Sequence, residues 1–360
     1  MIGGCAWRDS GPVRIGLAGN FQDATGAPAL RAAQLALEEI NRTGGVDGRP
    51  IELVVRDDRA NRDTAVAVAT ELYQSGVVAV VGHIYSGPTL AAAAVYNGGR
   101  DPVVQLTPSA TAPEVSHAGP YTFRVCPSDR AHGETLAAWT RSRLRLQRAA
   151  VIYLNDDYGR GVRQTFAANF RRQGGALAGV YPYLGTTPEV GPYLEDLTHH
   201  ERAEALVIAG YREDASTILR AARAQGFRGA VLGGDGLEGI EADGAIADGV
   251  YTSAAYLPDV ATEANRRFLE AYRRRFPEAP APNFAAVGAY ESVHLLREVM
   301  GRVGTGRRAI RDGLAQVGST APAFAGITGP LAFDSLGDVP GRRVYVGVVE
   351  RGRIRLADGQ

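Results

Sequence analysis

The sequence contains no lysine, only two cysteines and no excess of either charge. Its 39 basic residues are all arginine and are matched by 39 acidic residues, so no global field attracts nucleic acid or a membrane surface. Cys5 lies in the N-terminal tail and Cys126 at the end of a predicted strand, which argues against a disulfide and against a cysteine metal site. No hydrophobic run is long enough for a membrane span. These absences predict a globular protein with no nucleic-acid partner and no metal.

Motifs of the common enzyme classes are missing as well. The sequence has no GxSxG nucleophile elbow, no P-loop and no HExxH zinc motif. One GxGxxG pattern occurs at Gly234, Gly236 and Gly239, but a dinucleotide fingerprint requires that its glycines open a helix directly, and residues 241–244 predict an irregular chain. We therefore predict that the protein is not an enzyme and holds no cofactor.

A buried strand followed by a fresh helix indicates an anion site. Residues 77–81 are an apolar, β-branched run that is typical of a central strand in a parallel sheet. Gly82 ends the strand, Ser86 is predicted to cap the helix that follows, and Pro88 fits its first turn. Open α/β sheets bind ligands at such strand ends, where free helix N–H groups favour negative charge. We expect a carboxylate or similar anion near Ser86.

Strands and helices alternate in two successive blocks, and the length of 360 residues also favours two domains. The first block has predicted strands at 14–18, 51–55, 77–81, 103–106 and 121–125. The second has strands at 149–154, 177–183, 205–209, 230–232 and 250–255. Helices at 263–276 and 284–303 and strands at 331–333 and 345–350 complete the chain. This order predicts an α/β fold of two lobes, each a doubly wound parallel sheet with helices on both faces.

Several motifs together resemble the bacterial leucine/isoleucine/valine-binding proteins, which are type I periplasmic binding proteins and serve as substrate-binding proteins of ABC transporters. The resemblance extends from about Val13 to the end of the chain and depends on the order and spacing of the motifs. They are IGLAG at 15–19, INRTGGV at 40–46, IELV at 51–54 before Asp57-Asp58, VGH at 81–83 before Ser86, TPSATAP at 107–113, Phe123-Arg124, Asp129, and NDDYG at 155–159.

The resemblance implies two lobes that are joined by a hinge of three chain crossings, with the ligand in the cleft between them. Residues 12–126 plus 254–331 would form the first lobe, and residues 127–253 plus 332–358 would form the second. Residues 1–11 carry no pattern, and we expect them to be a disordered tail.

The resemblance also implies which residues grip an amino-acid ligand. Its carboxylate would meet Ser86, the Ser109 carbonyl region and Thr111. Its ammonium would meet Asp235, with help from Ser109 and Thr111. Tyr158 and Tyr211 of the second lobe would close over the ligand. Asp235 stands where many amino-acid binders carry Glu, so the charge is kept but the reach is shorter. The implied ligand-binding residues are Ser86, Ser109, Ala110, Thr111, Tyr158, Tyr211 and Asp235, and the candidates for selecting the ligand side chain are Thr25, Ile84 and Tyr85.

Each of these residues also has a purely structural interpretation. Ser86 could serve only as a helix cap, and Ser109 and Thr111 could serve only to stabilise a turn through hydroxyl-to-backbone hydrogen bonds. Asp235 could lie in a solvated turn. An aspartate that faces a closed cleft would instead need a cation, because a lone buried carboxylate costs several kcal/mol. For His83, after the buried strand, we expect a satisfied structural histidine.

The function that the resemblance implies is an extracytoplasmic solute-binding protein of an ABC importer, which would bind a small amino acid or related zwitterion. Its partners would be the permease and ATPase components, and its location the periplasm or the outer face of the cytoplasmic membrane. Two alternatives stay open: a ligand-sensing or regulatory subunit with the same fold, and a binder of an amide, an aromatic acid or another ligand that is not an amino acid. A hydrolase on a similar scaffold is the remaining class.

The first five residues, MIGGC, are similar to the end of a lipoprotein signal, in which a cysteine after small residues is lipidated. A chance match is the alternative, because short motifs occur often and no hydrophobic segment precedes Cys5 in the sequence. Cys5 is therefore a candidate lipidation site, and a lipid anchor there would be the only expected link to a membrane.

Overall fold

The computed structural model describes residues 11–185 and 189–357. Cys5, most of the predicted tail and residue 358 lie outside the described residues. The first part of the chain alternates strands and helices as its hydrophobic pattern predicts. Its elements are β1 (Val13–Gly19), α1 (Gly26–Arg42), β2 (Ile51–Asp57), α2 (Arg62–Gln74), β3 (Ala79–Gly82), α3 (Ser86–Asn97), β4 (Val104–Thr107) and β5 (Thr122–Arg124).

The middle of the chain repeats the alternation. Its elements are α4 (Asp129–Ala138), β6 (Arg148–Leu154), α5 (Asp157–Arg172), β7 (Ala176–Tyr183), α6 (Gly191–Glu195), β8 (Ala205–Ala209), α7 (Arg212–Ala224), β9 (Ala230–Gly233) and β10 (Tyr251–Ala254). Between β9 and β10 the chain forms only two short 3₁₀ turns, at Asp235–Leu237 and Ile240–Ile246, so the GxGxxG pattern does not open a helix.

The last part of the chain returns to the first lobe and then to the second. It forms α8 (Glu263–Arg275), α9 (Phe284–Val303), α10 (Arg307–Ala315), β11 (Phe324–Gly326), β12 (Gly329–Leu331), β13 (Tyr345–Glu350) and β14 (Arg353–Leu356). Helices α8, α9 and α10 belong to the same hydrophobic core as β1, β3 and β4, whereas β13 joins the sheet of the middle part. The chain therefore crosses between two lobes three times, after β5, after β10 and after β12.

Each lobe is built on one sheet that is covered by helices on both faces. The first sheet has five parallel strands in the order β2-β1-β3-β4-β5. The second has seven strands in the order β14-β13-β10-β9-β8-β6-β7. The predicted pair of doubly wound α/β lobes is thus confirmed. Both strand orders reverse beside the first strand of the lobe, which places a ligand crevice at the carboxyl ends of these strands.

The second sheet differs from the prediction at one edge. Strand β13 runs antiparallel to β10, and β14 runs antiparallel to β13, so the second sheet is mixed at this edge and not parallel throughout. The two edge strands are joined by Arg351 and Gly352 alone, both with positive φ, which is the geometry of a two-residue hairpin turn. A chain that returns from the other lobe enters at the sheet edge, where such a hairpin needs no crossover helix.

The lobe boundaries themselves stay a prediction. Phe333 and Val339 lie in the hydrophobic core of the first lobe, although they follow the predicted boundary at 332. Asp338 is ion-paired with Arg124 of β5. We propose that the third crossing follows Val339.

Candidate functional site

The first-lobe side of the cleft starts at the carboxyl end of β3. His83 is fully buried, and its Nδ1 lies 2.5 Å from Oδ2 of Asp58, while its Nε2 lies 3.3 Å from the Tyr96 hydroxyl. The expectation of a satisfied structural histidine is confirmed. This buried contact fixes the backbone from which α3 starts.

Ser86 is the first residue of α3 and not its cap. The capping position belongs to Tyr85, which makes no side-chain cap hydrogen bond, so the predicted capping role of Ser86 is wrong. The Ser86 hydroxyl oxygen instead accepts a hydrogen bond from the Ala112 N–H at 3.2 Å. The hydroxyl hydrogen is left to donate elsewhere, and the first N–H groups of α3 have no partner inside the helix.

The loop after β4 packs against this helix start through its hydroxyl groups. Thr107 Oγ1 donates to the His83 carbonyl and Ser109 Oγ donates to the Ile84 carbonyl, each at 2.7 Å. Ser109 is therefore hydrogen-bonded to backbone, as the turn interpretation expects, but its oxygen still has lone pairs. The loop and the helix start form one rigid wall.

A buried ion pair holds the far side of the same loop. Arg124 is fully buried, and its Nε lies 2.6 Å from Oδ1 of Asp338. Its Nη1 donates to the carbonyls of Thr111 at 3.1 Å and Ala112 at 2.9 Å. Arg124 thus donates to both loop carbonyls from the side away from the cleft, and the Thr111 side chain lies on the cleft side. Sequence reasoning quoted Arg124 only as a motif residue and missed this positioning role.

Three second-lobe side chains face this wall, each just after the carboxyl end of a parallel strand. They are Tyr158 after β6, Tyr211 after β8 and Asp235 after β9. The Tyr158 hydroxyl donates to Oδ1 of Asp235 at 3.0 Å and accepts from the Gly236 N–H at 2.8 Å. Asp235 is only 4% exposed, which excludes the solvated-turn interpretation. Its pKa is raised, first by burial, while His132 and the Tyr158 hydroxyl lower it.

A second buried carboxylate lies next to Asp235. Asp129 opens α4, is fully buried, and has no hydrogen-bond partner on either carboxylate oxygen among the described residues. Burial and the charge of Asp235 raise its pKa well above the usual value, and nearby Thr111 and Arg124 lower it only in part. His132, one turn along α4, is also fully buried; its Nδ1 lies 3.0 Å from Ser253 Oγ, and its Nε2 has no described partner.

The structure brings nine of the ten predicted residues to one small enclosed space, which we call the inner chamber. Its volume is about 20 Å³, and that is room for roughly one water. Ala110 is the exception, since it packs behind the wall against Ala112 and Val115. Sequence reasoning missed Phe284, whose only signal was its place at the start of a predicted helix. The lining residues are Thr25, Ile84, Tyr85, Ser86, Ser109, Thr111, Tyr158, Tyr211, Asp235, Gly236 and Phe284.

A row of tyrosines separates the inner chamber from a larger vestibule of about 780 Å³ at the mouth of the cleft. Tyr211 stacks on Tyr158 at 5.1 Å between ring centroids and meets the Tyr85 ring edge-on at 5.2 Å. The Tyr85 hydroxyl donates to Oδ2 of Asp23 at 2.9 Å. Because Tyr85 belongs to one lobe and Tyr211 to the other, their contact closes the cleft.

The chemistry of the site is that of binding. Within residues 11–185 and 189–357 no group of three or more His, Cys, Asp or Glu side chains is arranged to hold a metal ion. The helices in the same ranges include none with the length and apolarity that a bilayer span needs. What the inner chamber offers is hydroxyl and N–H donors on one side and a carboxylate on the other.

Comparison with known proteins decides the family. The family described as "Periplasmic binding protein" matches residues 12–353. The chain belongs to the periplasmic binding protein family. The leucine-, isoleucine-, valine-, threonine- and alanine-binding protein of Pseudomonas aeruginosa is 28% identical over 333 residues, which are 92% of this chain and 86% of that protein. The resemblance to leucine/isoleucine/valine-binding proteins is confirmed.

Two solved structures of this family agree with the fold. The transporter substrate-binding protein LivJ of Streptococcus pneumoniae, in complex with isoleucine, has a TM-score of 0.83 at 25% identity, and the match covers 95% of this chain and 97% of that one. The leucine-binding protein LivK of Thermotoga maritima has a TM-score of 0.86 at 25% identity and covers 96% and 97%. The periplasmic binding protein family supplies substrate-binding components of transport and not enzymes.

Proposed function

We propose that this periplasmic binding protein is the extracytoplasmic solute-binding component of an ABC importer and that it binds a small amino acid or a related zwitterion between its lobes. The observation that carries the proposal is the inner chamber, in which donors of one lobe face the buried Asp235 of the other. A ligand with a carboxylate and an ammonium complements both sides at once.

The first-lobe wall suits the ligand carboxylate. The α3 N-terminus provides N–H groups and the positive end of the helix dipole, both of which favour an anion. Ser86 adds a hydroxyl whose oxygen is already anchored by the Ala112 N–H, so its hydrogen is free to point at the ligand. Thr111 lines the same side of the chamber.

The second-lobe side suits the ligand ammonium. A buried carboxylate without a cation costs several kcal/mol, and an ammonium at Asp235 removes that cost. Charge-assisted hydrogen bonds contribute roughly 1.5–3 kcal/mol each. Four or five of them, less the cost of immobilising the ligand, give about −8 kcal/mol, which corresponds to micromolar affinity.

Binding should favour the closed arrangement of the lobes. A ligand that contacts Ser86 and Asp235 bridges the two lobes and so stabilises the closed state against the open one. Tyr158 and Tyr211 would exclude water above the ligand while their hydroxyls stay hydrogen-bonded. Arg62 of the first lobe and Asp157 of the second form an ion pair across the cleft, which adds to closure.

Relatives support the ligand class. The curated relative from Pseudomonas aeruginosa is named for five neutral amino acids, and the LivJ structure contains isoleucine. An aromatic acid has a carboxylate but no ammonium, and it would leave Asp235 uncompensated. The permease and ATPase components of the importer would be the partners of the closed protein.

The test is calorimetry with ligands that lack one charge. A thermal-shift screen of the common amino acids first selects the ligand. Its affinity is then compared with that of its decarboxylated amine and that of its deaminated acid. We expect micromolar binding of the zwitterion and at least about a hundredfold weaker binding of both analogues, because each loses two or more charge-assisted bonds.

Equal binding of the deaminated acid, or of benzoate, would contradict the ammonium site. Transport is tested separately by radiolabelled uptake in a strain whose copy of the gene is deleted and then restored. Lost uptake that returns on restoration supports the importer, whereas unchanged uptake favours the sensing role.

A further inference from the structure

A second cavity adjoins the inner chamber, and we call it the side chamber. It shares Asp235 and Phe284 with the inner chamber and has a volume of about 90 Å³. It lies between four segments, which are the residues after β9, β10 with the loop that follows it, the start of α9, and β14. Its lining residues are Asp235, Glu238, Glu241, Thr252, Ala254, Tyr256, Leu257, Pro258, Ala281, Pro282, Phe284 and Ile354.

The charge of the side chamber is negative and unbalanced. Glu238 and Glu241 are partly exposed as whole residues, but Oε2 of each is enclosed and has no hydrogen-bond partner among the described residues. Burial and the charges of Glu241 and Asp235 raise the pKa of the Glu238 carboxyl well above the usual value, and a hydrogen bond from the Phe284 N–H lowers it only in part. No arginine or histidine is among the lining residues. One enclosed oxygen of each carboxyl group therefore belongs to a cavity whose lining includes no cation.

A structural role does not account for this arrangement. Buried carboxylates in folded proteins are paired with a cation or fully hydrogen-bonded, because an enclosed oxygen without a partner costs free energy. Two other buried acids of this protein follow that rule, since Glu291 pairs with Arg342 at 2.7 Å and Asp338 with Arg124 at 2.6 Å, whereas Asp129, next to Asp235, does not. The acids of the side chamber are unlike these pairs.

The size of the two cavities indicates where a ligand side chain goes. In this closed state the inner chamber is about 20 Å³ and has no room for a ligand side chain, because its walls already meet across the tyrosine row. The side chamber, at about 90 Å³, has room for roughly six waters and hence for a side chain of about six heavy atoms. Leu257, Pro258 and Phe284 would contact the methylene groups of such a chain.

We propose that the side chamber is the side-chain subsite of the ligand pocket and that it takes an α-amino acid with a cationic side chain, an ammonium or guanidinium that meets Glu238 and Glu241. This inference rests on the proposed function, since the head group must first occupy the inner chamber. It separates this chain from relatives that are named for neutral amino acids.

Calorimetry with matched ligand pairs tests the charge. L-lysine is compared with L-norleucine, which keeps the four side-chain carbons and lacks the terminal ammonium. L-arginine is compared with L-citrulline, which keeps the length of the side chain and replaces the guanidinium with a neutral urea group. We expect the cationic member to bind at least about tenfold tighter, as one or more charge-assisted bonds in a buried site would give.

Two variants test the location. Glu238→Gln and Glu241→Gln keep the shape of the side chain and remove its charge. Each should weaken L-lysine at least about tenfold more than it weakens L-norleucine, whereas Glu270→Gln, on the exposed face of α8, should weaken neither. Circular dichroism and the melting temperature confirm that each variant is folded, and if one variant does not fold the other still decides.

The outcomes separate the two proposals. If neutral amino acids bind as well as cationic ones or better, the side-chain subsite is wrong and the proposed function stands. If cationic ligands bind tighter but both Glu variants leave that preference unchanged, the side chamber is not the subsite. If no amino acid binds at all, the proposed function and this inference fail together.

Discussion

The two walls of the inner chamber differ in how their polar and charged groups are balanced. On the first-lobe wall hydrogen bonds inside the protein hold the loop and the helix start in place: Ser86 accepts from Ala112, Ser109 donates to Ile84, and the Thr111 carbonyl accepts from Arg124. On the second-lobe wall Asp235 and Asp129 are both buried next to each other, and Asp129 has no described hydrogen-bond partner. The first-lobe wall is thus neutral and held by internal hydrogen bonds, and the second-lobe wall carries charge that a ligand must balance.

The difference separates two contributions to binding. The first-lobe wall can position a carboxylate through groups that keep their geometry without the ligand. Its contribution to binding therefore comes from preorganisation. The charged wall is destabilised when the cleft closes empty, so its contribution comes from relief of that cost by a cation. Changes on the charged wall should therefore alter affinity and stability most.

The largest expected effect is that of Asp235→Asn. The variant keeps the shape of the side chain and a carbonyl oxygen for the Tyr158 hydroxyl, but it removes the charge that would pair with the ligand ammonium. We expect at least about a hundredfold loss of amino-acid affinity, or roughly 3 kcal/mol, by calorimetry at pH 7. Asp248→Asn, exposed in the same glycine-rich segment, is the control and should bind normally. Unchanged affinity of Asp235→Asn would remove the ammonium site from the proposal.

The next effect is that of Asp129→Asn on the stability of the ligand-free protein. Burial and Asp235 raise the pKa of Asp129 in the folded state above its unfolded value of about 3.9. A carboxyl with a raised folded pKa contributes fully to stability below the unfolded pKa, and that stability is lost as pH rises towards the folded pKa. The asparagine variant does not lose stability in this way, because its side chain does not ionise. It should therefore melt a few degrees higher than the native protein at pH 7–8, since about 1 kcal/mol corresponds to roughly 2 °C.

The pH dependence of the difference in melting temperature separates an effect of charge from an effect of packing. Near pH 4 both proteins carry a neutral side chain at position 129, so the difference in melting temperature should shrink towards zero. Differential scanning calorimetry from pH 4 to pH 8 measures it, with Asp248→Asn as the variant in which no such trend is expected. A constant offset at all pH values would mean that the substitution acts through packing and not through the charge of Asp129.

The parts of this comparison that the sequence could predict are those that depend on local pattern. The run at 77–81 and the residues after it predicted a buried strand, a loop and a helix start, and β3 and α3 are there. The family resemblance then placed Asp235 in the cleft, although it is 149 residues from Ser86. Local pattern also contained a signal that was overlooked, because Arg351 and Gly352 form a two-residue hairpin between two short strands.

The parts that could not be predicted depend on packing between distant segments. Asp129 and Asp235 are buried together only because α4 and the segment after β9 meet beneath the cleft. No spacing in the chain indicates that the charge of Arg124 would offset the burial of Asp129 only in part. The same holds for the side chamber, whose walls come from four separate segments. Ser86 shows the opposite limit, since its residue type correctly suggested a helix start but misassigned its hydrogen bond, which goes to Ala112 of another loop.

The smallest expected effect is that of Ser86→Ala, and it tests the first-lobe wall. The variant removes the hydroxyl that would donate to the ligand carboxylate, but it keeps the N–H groups and dipole of α3. We expect about a three- to tenfold loss of affinity, because one hydrogen bond contributes roughly 0.5–1.5 kcal/mol. Ser75→Ala is the control, since the Ser75 hydroxyl donates to the Leu72 carbonyl at the end of α2, outside the residues that line the chamber. If Ser86→Ala weakened binding as much as Asp235→Asn, the first-lobe wall would not be the preorganised partner, and the two walls would have to act as a single charged site.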